Sequence, residues 1–135
     1  MTQDNNRTSV WLTGWLVWLV VIAAVNHLPT DWLPIATANG TDKALHIGAY
    51  FVFGVLGTGA LGRLWRAWPR PLVSSSALVV GALVAAADEG LQAYVPSRVP
   101  LMEDWLTDLL GLALAVIVAR MASGRLARIW LGRND

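Results

Sequence analysis

Cysteine is absent from this 135-residue chain, and charged residues make up only 14% of it. Without cysteine there are no disulfide bonds, thiolate metal sites or cysteine nucleophiles. Soluble domains contain roughly 25% charged residues, so this chain has too little polar surface to stay in water as a globular domain. A formal net charge of +1 gives no electrostatic support for binding nucleic acid.

Hydrophobic residues, in contrast, make up 56% of the chain, and its mean hydropathy is +0.51. Eight tryptophans stand against two tyrosines and two phenylalanines, and tryptophan is enriched at membrane interfaces. The length accommodates one domain. The composition therefore predicts a small polytopic membrane protein with a single domain over residues 1–135.

Four apolar runs have the length of about 20 residues that a helix needs to cross a bilayer. They lie at about 10–28, 44–64, 72–95 and 105–121. No strand-like alternation separates them, and no residues are left for a soluble domain. We therefore expect an all-α integral membrane protein with four antiparallel transmembrane helices.

The first run has one alternative interpretation, a cleaved signal peptide, because Ala36-Thr37-Ala38 resembles an A-x-A cleavage site. Signal peptides contain an apolar stretch of about 7–15 residues, which is shorter than this run. We therefore expect an uncleaved first span.

Lysine and arginine are distributed unequally between the two predicted sides of the membrane. Arg7, Arg63, Arg66, Arg70, Arg120, Arg125, Arg128 and Arg133 fall on the side of the two termini, and only Lys43 and Arg98 fall on the other. The positive-inside rule then predicts that both termini are cytoplasmic. Most of the acidic residues lie near the opposite, outer ends of the spans, which this rule does not explain.

Polar residues form a short stripe at the outer end of three spans. Asp42, His46 and Tyr50 are spaced i, i+4, i+8, which places them on one helix face. The other two stripes are Asp88, Glu89 and Gln92 in the third span, and Asp104, Asp108 and Gly111 in the fourth. Ionisable residues inside a membrane span are costly and mark functional sites, so their convergence from three spans predicts a site.

The same stripes resemble the motifs of the VanZ-like family. The first motif is D-K-x-x-H-x-x-x-Y, the second D-E-x-x-Q-x-x-x-P-x-R, and the third D-x-x-x-N-x-x-G. They are matched by Asp42, Lys43, His46 and Tyr50; by Asp88, Glu89, Gln92, Pro96 and Arg98; and by Asp104 and Gly111. The chain departs from the third motif at Asp108, where the family has asparagine.

This resemblance implies a multi-pass protein of the bacterial cytoplasmic membrane that belongs to the cell envelope. The family is named for a member associated with resistance to teicoplanin, a lipoglycopeptide antibiotic, which implies an effect on glycopeptide susceptibility. The resemblance identifies no particular reaction, so whether the chain is an enzyme and which cofactor it uses both stay open.

The leading hypothesis is an outer polar pocket between the second, third and fourth spans. It would recognise or modify the polar head of an amphiphile: a phospholipid, a lipid-linked envelope precursor or a lipoglycopeptide. His46, whose charge changes near neutral pH, would exchange protons together with Asp42, Glu89 and Asp108. Lys43 and Arg98 would hold an anionic group, Tyr50, Gln92 and Asp104 would line the pocket, and Trp32 and Trp105 would flank its entrance.

Several simpler interpretations stay open for the same residues. Asp42 and Asp104 lie in first helical turns, where the macrodipole favours an acid, and one of Asp88 and Glu89 would pair with Arg98 or Lys43. A divalent cation would suit the carboxylates of Asp42, Glu89, Asp104 and Asp108. The whole cluster would otherwise be a structural network in a non-catalytic scaffold, with another membrane protein as the partner. Small residues at Gly54, Thr58 and Gly62, and at Gly81 and Ala85, predict close helix packing.

Overall fold

The computed structural model describes residues 2–28, 41–96 and 98–121, with the backbone alone at residues 2–4. The described residues form four helices and no strand, which confirms the all-α class. The helices are α1 (Thr2–Asn26), α2 (Thr41–Leu64), α3 (Arg70–Gln92) and α4 (Met102–Met121). The predictions for Trp32, for the Ala36-Thr37-Ala38 sequence and for the arginines beyond residue 121 lie outside the described residues.

The helix boundaries follow local sequence signals. α1 begins at Thr2 rather than at about 10, since the polar residues before its apolar run include no proline or glycine to stop the helix. α3 starts directly after Pro69 and has Pro71 in its first turn, where the missing N–H has no intrahelical partner to lose. α4 carries Glu103 and Asp104 in its first turn, where the helix dipole favours acidic side chains.

Within the described residues, three helices are long and apolar enough to cross a membrane: Asn5–Asn26, Thr41–Leu64 and Arg70–Gln92. α4 also has 20 residues, but its acids are concentrated in the first two turns. Length and composition thus support three of the four predicted spans. That α4 crosses the membrane stays a prediction.

Apolar side chains cover the outside of these helices. Val20 of α1 is 66% exposed, Leu83 of α3 is 67% exposed, and Ile117 of α4 is 51% exposed. Exposed apolar surface on this scale is unfavourable in water but suits contact with lipid tails. The helices are therefore those of a membrane protein.

The tightest packing joins α2 and α4. At Gly54 a Cβ atom would lie 2.7 Å from the Ala115 Cβ, and at Gly111 a Cβ would lie 2.9 Å from the backbone nitrogen of Phe51. Gly81 of α3 likewise packs against Leu112, which is fully buried. The predicted role of Gly54 and Gly81 in close packing is confirmed, and Gly111 brings the backbones of α2 and α4 together.

α1 is the peripheral helix of the group. It packs chiefly on α2 and makes few contacts with α3, and Ile22 is the only buried side chain among its described residues. Ile22 belongs to the buried core, and Trp15, Trp18 and Leu19 pack against it. The indole N–H of Trp18 donates to the carbonyl oxygen of Ala49 at 2.9 Å.

The polar residues gather at one end of the helix group. Asn26, in the last turn of α1, contacts Asp88 near the end of α3, and His46 near the start of α2 contacts Asp108 of α4. The hydroxyl of Tyr50 on α2 also donates to Asp88, so the ends of α1 and α3 adjoin the starts of α2 and α4. We call this region the polar end; it comprises Asn26, His27, Lys43, His46, Tyr50, Asp88, Glu89, Gln92, Arg98, Glu103, Asp104 and Asp108. The side of the membrane that it faces stays a prediction.

Candidate functional site

The centre of the polar end is a buried pair between His46 and Asp108. The His46 Nδ1 lies 2.9 Å from Asp108 Oδ1. His46 is 9% exposed and Asp108 is 1% exposed. An ionisable pair this deeply buried is costly unless its members satisfy each other, so the two helices must hold this geometry closely.

The packing of α2 on α4 sets that geometry. Gly111 follows Asp108 by three residues, and a side chain there would overlap the carbonyl oxygen of Ile47, which follows His46 directly. Because glycine lets the two backbones touch, His46 and Asp108 reach each other across the helix interface. The first and third polar stripes of the sequence are thus one structural unit.

The hydrogen bond also fixes the chemistry of the imidazole. A carboxylate only accepts hydrogen bonds, so Nδ1 of His46 carries the proton that is donated to Asp108. The other ring nitrogen, Nε2, has no hydrogen-bond partner among the described residues. An aspartate that orients a histidine in this way prepares it to take a proton from a bound group.

Asp88 forms a second centre, which joins three helices. Its Oδ2 accepts hydrogen bonds from the side-chain amide of Asn26 at 2.5 Å and from the hydroxyl of Tyr50 at 3.3 Å. Nδ1 of His27 lies 3.6 Å from Asp88 Oδ1 but donates to the carbonyl oxygen of Ala23 at 2.8 Å. Asp88 therefore connects the end of α1 to α2 and α3.

Glu89, the next residue along α3, faces α4. Its carboxylate accepts a hydrogen bond from the backbone N–H of Leu101, just before α4 begins, and one from the Gln92 side chain at 3.4 Å. Glu89 and Gln92 are both buried. The second polar stripe thus places its two acids on different neighbours, Asp88 towards α1 and Glu89 towards α4.

Asp104 lies one turn before Asp108 and is half-buried. Its Oδ1 atom is fully buried and accepts no hydrogen bond from the described part of the chain. Asp104 is also close enough to His46, Glu89 and Asp108 for their charges to interact. The cluster therefore includes one carboxylate oxygen that lacks a donor.

The two cations of the polar end have partners within the protein. Lys43 forms an exposed ion pair with Glu103. The guanidinium of Arg98 donates to the carbonyl oxygens of Leu28, at 3.2 Å, and Val25, at 3.3 Å, so it caps the end of α1. The alternative in which Asp88 or Glu89 pairs with one of these cations is wrong: within the described ranges, the two acids accept hydrogen bonds from amide and hydroxyl groups.

The remaining predicted site residues lie at the edge of the cluster. Asp42 is half-buried, and among the described residues no side-chain hydrogen bond or ion pair joins it to His46. Trp105 packs against the core, and its indole nitrogen Nε1 lies 3.4 Å from the carbonyl oxygen of Ala82 on α3. Across the described residues, no three His, Asp or Glu side chains are arranged to hold a metal ion.

A match to a known family covers most of this architecture. The model of the family described as VanZ/LLP1 matches residues 3–123, which include α2, α3, α4 and all of α1 except Thr2. The chain belongs to the VanZ/LLP1 family. No curated protein and no solved structure matches it significantly.

The VanZ/LLP1 assignment gives the three motifs a common location. The first motif supplies His46 and Tyr50 from α2, and the second supplies Asp88, Glu89 and Gln92 from α3. The third supplies Asp108, which occupies the position of the usual asparagine and accepts the hydrogen bond of His46. All three motifs meet at the polar end of this VanZ/LLP1 protein.

Sequence reasoning missed the contribution of the first helix. Asn26 and His27 close α1 and lie against Asp88, although the predicted pocket involved the second, third and fourth spans only. The available signal was the polar pair Asn26-His27 at the end of an otherwise apolar run, at the same predicted depth as the three stripes.

Proposed function

We propose that this VanZ/LLP1 protein is a multi-pass protein of the bacterial cytoplasmic membrane whose polar end binds the head group of an amphiphile. The amphiphile is a phospholipid, a lipid-linked envelope precursor or a lipoglycopeptide. In this proposal α4 is the fourth span, the helices alternate in direction, and the polar end faces outward. Head-group binding would connect the protein to envelope behaviour, including susceptibility to glycopeptide antibiotics.

The observation that carries the proposal is the His46–Asp108 pair. An imidazole oriented by a buried carboxylate, with Nε2 left without a donor, is suited to accept a proton or a hydrogen bond from a ligand. In this proposal the polar end lies at the level at which a lipid head group would meet the apolar spans. Purely apolar packing would not need a buried acid at this point.

The flanking cations fit the same proposal. The Lys43–Glu103 pair is exposed, and exposed ion pairs contribute little to stability, so a head-group phosphate can take the place of Glu103. Arg98, which links the second polar stripe to the end of α1, would keep the edge of the site in position and present its remaining donors to an anion.

A structural scaffold is the second candidate, and one observation favours it. Most polar groups at this end already satisfy one another: Asn26 and Tyr50 bond Asp88, the Leu101 N–H and Gln92 bond Glu89, and Arg98 caps α1. A network of this kind would fix how the helices fit together and leave binding to another membrane protein.

Native mass spectrometry of the protein, purified in mild detergent, separates these candidates. The wild type is compared with His46→Gln, which can still donate to Asp108, and with Thr58→Val, a matched change at a buried hydroxyl remote from the polar end. We expect a co-purifying amphiphile that Thr58→Val retains and His46→Gln loses, with both variants folded. If the wild type carries no amphiphile and His46→Gln lowers thermal stability, the scaffold is the correct function.

A further inference from the structure

We propose that the end of the helix group opposite the polar end binds the phosphate of an anionic phospholipid. The binding site is formed by Arg7, Trp11, Arg63 and Arg66, which we call the basic site. Arg7 and Trp11 lie in the first three turns of α1, Arg63 lies in the last turn of α2, and Arg66 follows the end of α2 by two residues. The basic site is separate from the polar end, and binding at one does not require binding at the other.

The basic site lies nearly a membrane thickness away from the polar end. Arg63 follows His46 by 17 residues on α2, and Arg7 precedes Asn26 by 19 residues on α1. At about 1.5 Å per residue, these separations are about 25 Å and about 28 Å, and the hydrocarbon core of a bilayer is about 30 Å thick. When the polar end lies at one membrane interface, the basic site therefore lies at the other, at the level of lipid phosphates.

Packing between α1 and α2 fixes the charge at the centre of the basic site. Arg63 is only 5% exposed, its guanidinium carbon lies 4.5 Å from the centre of the Trp11 ring, and its Nη1 donates to the carbonyl oxygen of Gly59 at 2.9 Å. Trp11 reaches this position because Gly59 has no side chain, since a Cβ there would overlap the Trp11 ring. The aromatic face attracts the guanidinium, so this cation is held in one place.

Two more guanidinium groups lie near that fixed charge. Nε of Arg66 donates to the carbonyl oxygen of Arg63 at 3.3 Å, and both Arg7 and Arg66 are close enough to Arg63 for their charges to repel. The sequence segments 5–30 and 43–87, which include the whole basic site, contain no Asp or Glu. An anion among three cations is attracted by all of them, and guanidinium groups bind phosphate oxygens through pairs of N–H donors.

Apolar surface beside the basic site favours a lipid over a soluble anion. Val10, next to Trp11, is 63% exposed, and Leu64, next to Arg63, is 48% exposed. Arg66 is itself exposed, so a lipid phosphate can reach its N–H donors while the acyl chains lie along these apolar side chains. The positive-inside rule places this end at the cytoplasmic leaflet, whose anionic lipids attract basic residues.

Lipid titration followed by native mass spectrometry tests the charge of the ligand. Purified wild-type protein in detergent is titrated with phosphatidylglycerol and with phosphatidylcholine of the same acyl chains, and His46→Gln is titrated in parallel to identify any adduct at the polar end. We expect a site, retained in His46→Gln, that binds phosphatidylglycerol at least about fivefold more tightly than phosphatidylcholine, since one arginine near an anionic lipid contributes about that factor. Inorganic phosphate at the same concentration should not displace the lipid, because it lacks the acyl chains.

A matched pair of variants locates the site. Arg66→Gln removes one charge from the basic site, while Arg120→Gln removes the same charge from an exposed residue of α4 that donates to Ser75 of α3. We expect Arg66→Gln to weaken phosphatidylglycerol binding about fivefold and Arg120→Gln to leave it nearly unchanged. Trp11→Leu, which removes the aromatic face that holds Arg63, should also weaken binding, and Trp11→Phe, which keeps such a face, should restore most of it.

Four results would overturn the basic site. Equal binding of the two lipids would reject recognition of the anionic charge, and displacement by inorganic phosphate would assign the site to a soluble anion. Equal weakening by Arg66→Gln and Arg120→Gln would show that only the total charge of this end acts. Loss of the phosphatidylglycerol adduct in His46→Gln but not in Arg66→Gln would place the lipid at the polar end and leave the proposed function intact. An adduct that Arg66→Gln loses and His46→Gln keeps supports the basic site even when the polar end binds nothing.

Discussion

The two ends of the helix group handle charge in different ways. At the polar end, acids such as Asp88 and Asp108 receive hydrogen bonds from side chains on other helices. The opposite end, which we call the arginine end, comprises Trp11, Arg63, Ser75 and Arg120. There Arg63 lies 4.5 Å from the centre of the Trp11 ring and donates to the carbonyl oxygen of Gly59 on its own helix.

The difference reflects what each side chain can reach. A long arginine finds carbonyl oxygens in the last turn of its own helix or the face of a tryptophan, and these contacts tolerate small shifts. A short carboxylate has no such freedom, because donors must be brought to it by a neighbouring helix at hydrogen-bond distance. Helix positions therefore matter more at the polar end than at the arginine end.

The largest effect is expected where the helices of the polar end touch. Gly111→Ala would place a Cβ against the backbone of Ile47 and Phe51, and separating α2 from α4 would also break the His46–Asp108 pair. We expect a loss of about 3 kcal/mol in the free energy of unfolding, measured by SDS titration of the purified protein. Gly48→Ala, where a Cβ meets no atom within 4 Å, should be neutral, and equal losses in the two variants would contradict this account.

A smaller effect on stability is expected from changes to the His46–Asp108 pair. Asp108→Leu leaves the buried Nδ1 of His46 without an acceptor, which costs about 2 kcal/mol, measured by the same titration. Asp108→Asn restores the usual VanZ-like residue and offers an amide oxygen to His46, so it should cost less than about 1 kcal/mol. If both variants lost the same stability, the charge of Asp108 rather than its hydrogen bond would hold the pair.

A still smaller loss of stability is expected when the contact between α1 and Asp88 is removed. Asn26→Leu removes the amide that bonds Asp88, and since α1 makes few contacts with α3, we expect about 1 kcal/mol less stability. Hydrogen exchange should show faster amide exchange in the last turns of α1 and little change in α2. Asn5→Leu, the same substitution at an exposed position of α1, is the control and should change neither quantity. Faster exchange throughout all four helices would mean that α1 is not a separately attached element.

The smallest effect is expected at the arginine end. A double-mutant cycle with Arg63→Met and Trp11→Leu should give a coupling energy of about 0.5–1 kcal/mol in the free energy of unfolding, the range of a cation–π contact. A coupling above that of the His46–Asp108 pair, measured by the same cycle with His46→Leu and Asp108→Leu, would remove the distinction between the two ends.

The sequence predicted correctly that polar residues of α2, α3 and α4 lie together at one end of the helix group. Helical spacing placed Asp42, His46 and Tyr50 on one face, and two of these side chains do face the interior. Spacing along one helix does not reveal the partner on another, so the nearest acid in sequence, Asp42, is not the residue bonded to His46. His46 is bonded to Asp108 instead, because the contact at Gly111 brings α4 against that face of α2.

The sequence alone determined the membrane-protein character of the chain, the approximate positions of its helices and the family motifs. Apolar length and local spacing are properties of single segments, so they can be read without the tertiary structure. Tertiary structure decided which acid bonds which donor, that Arg98 caps α1, that Asn26 joins the cluster, and that Asp104 keeps an unpartnered oxygen. These are relations between helices, and they depend on distances of a few ångströms set by where small residues let the backbones meet.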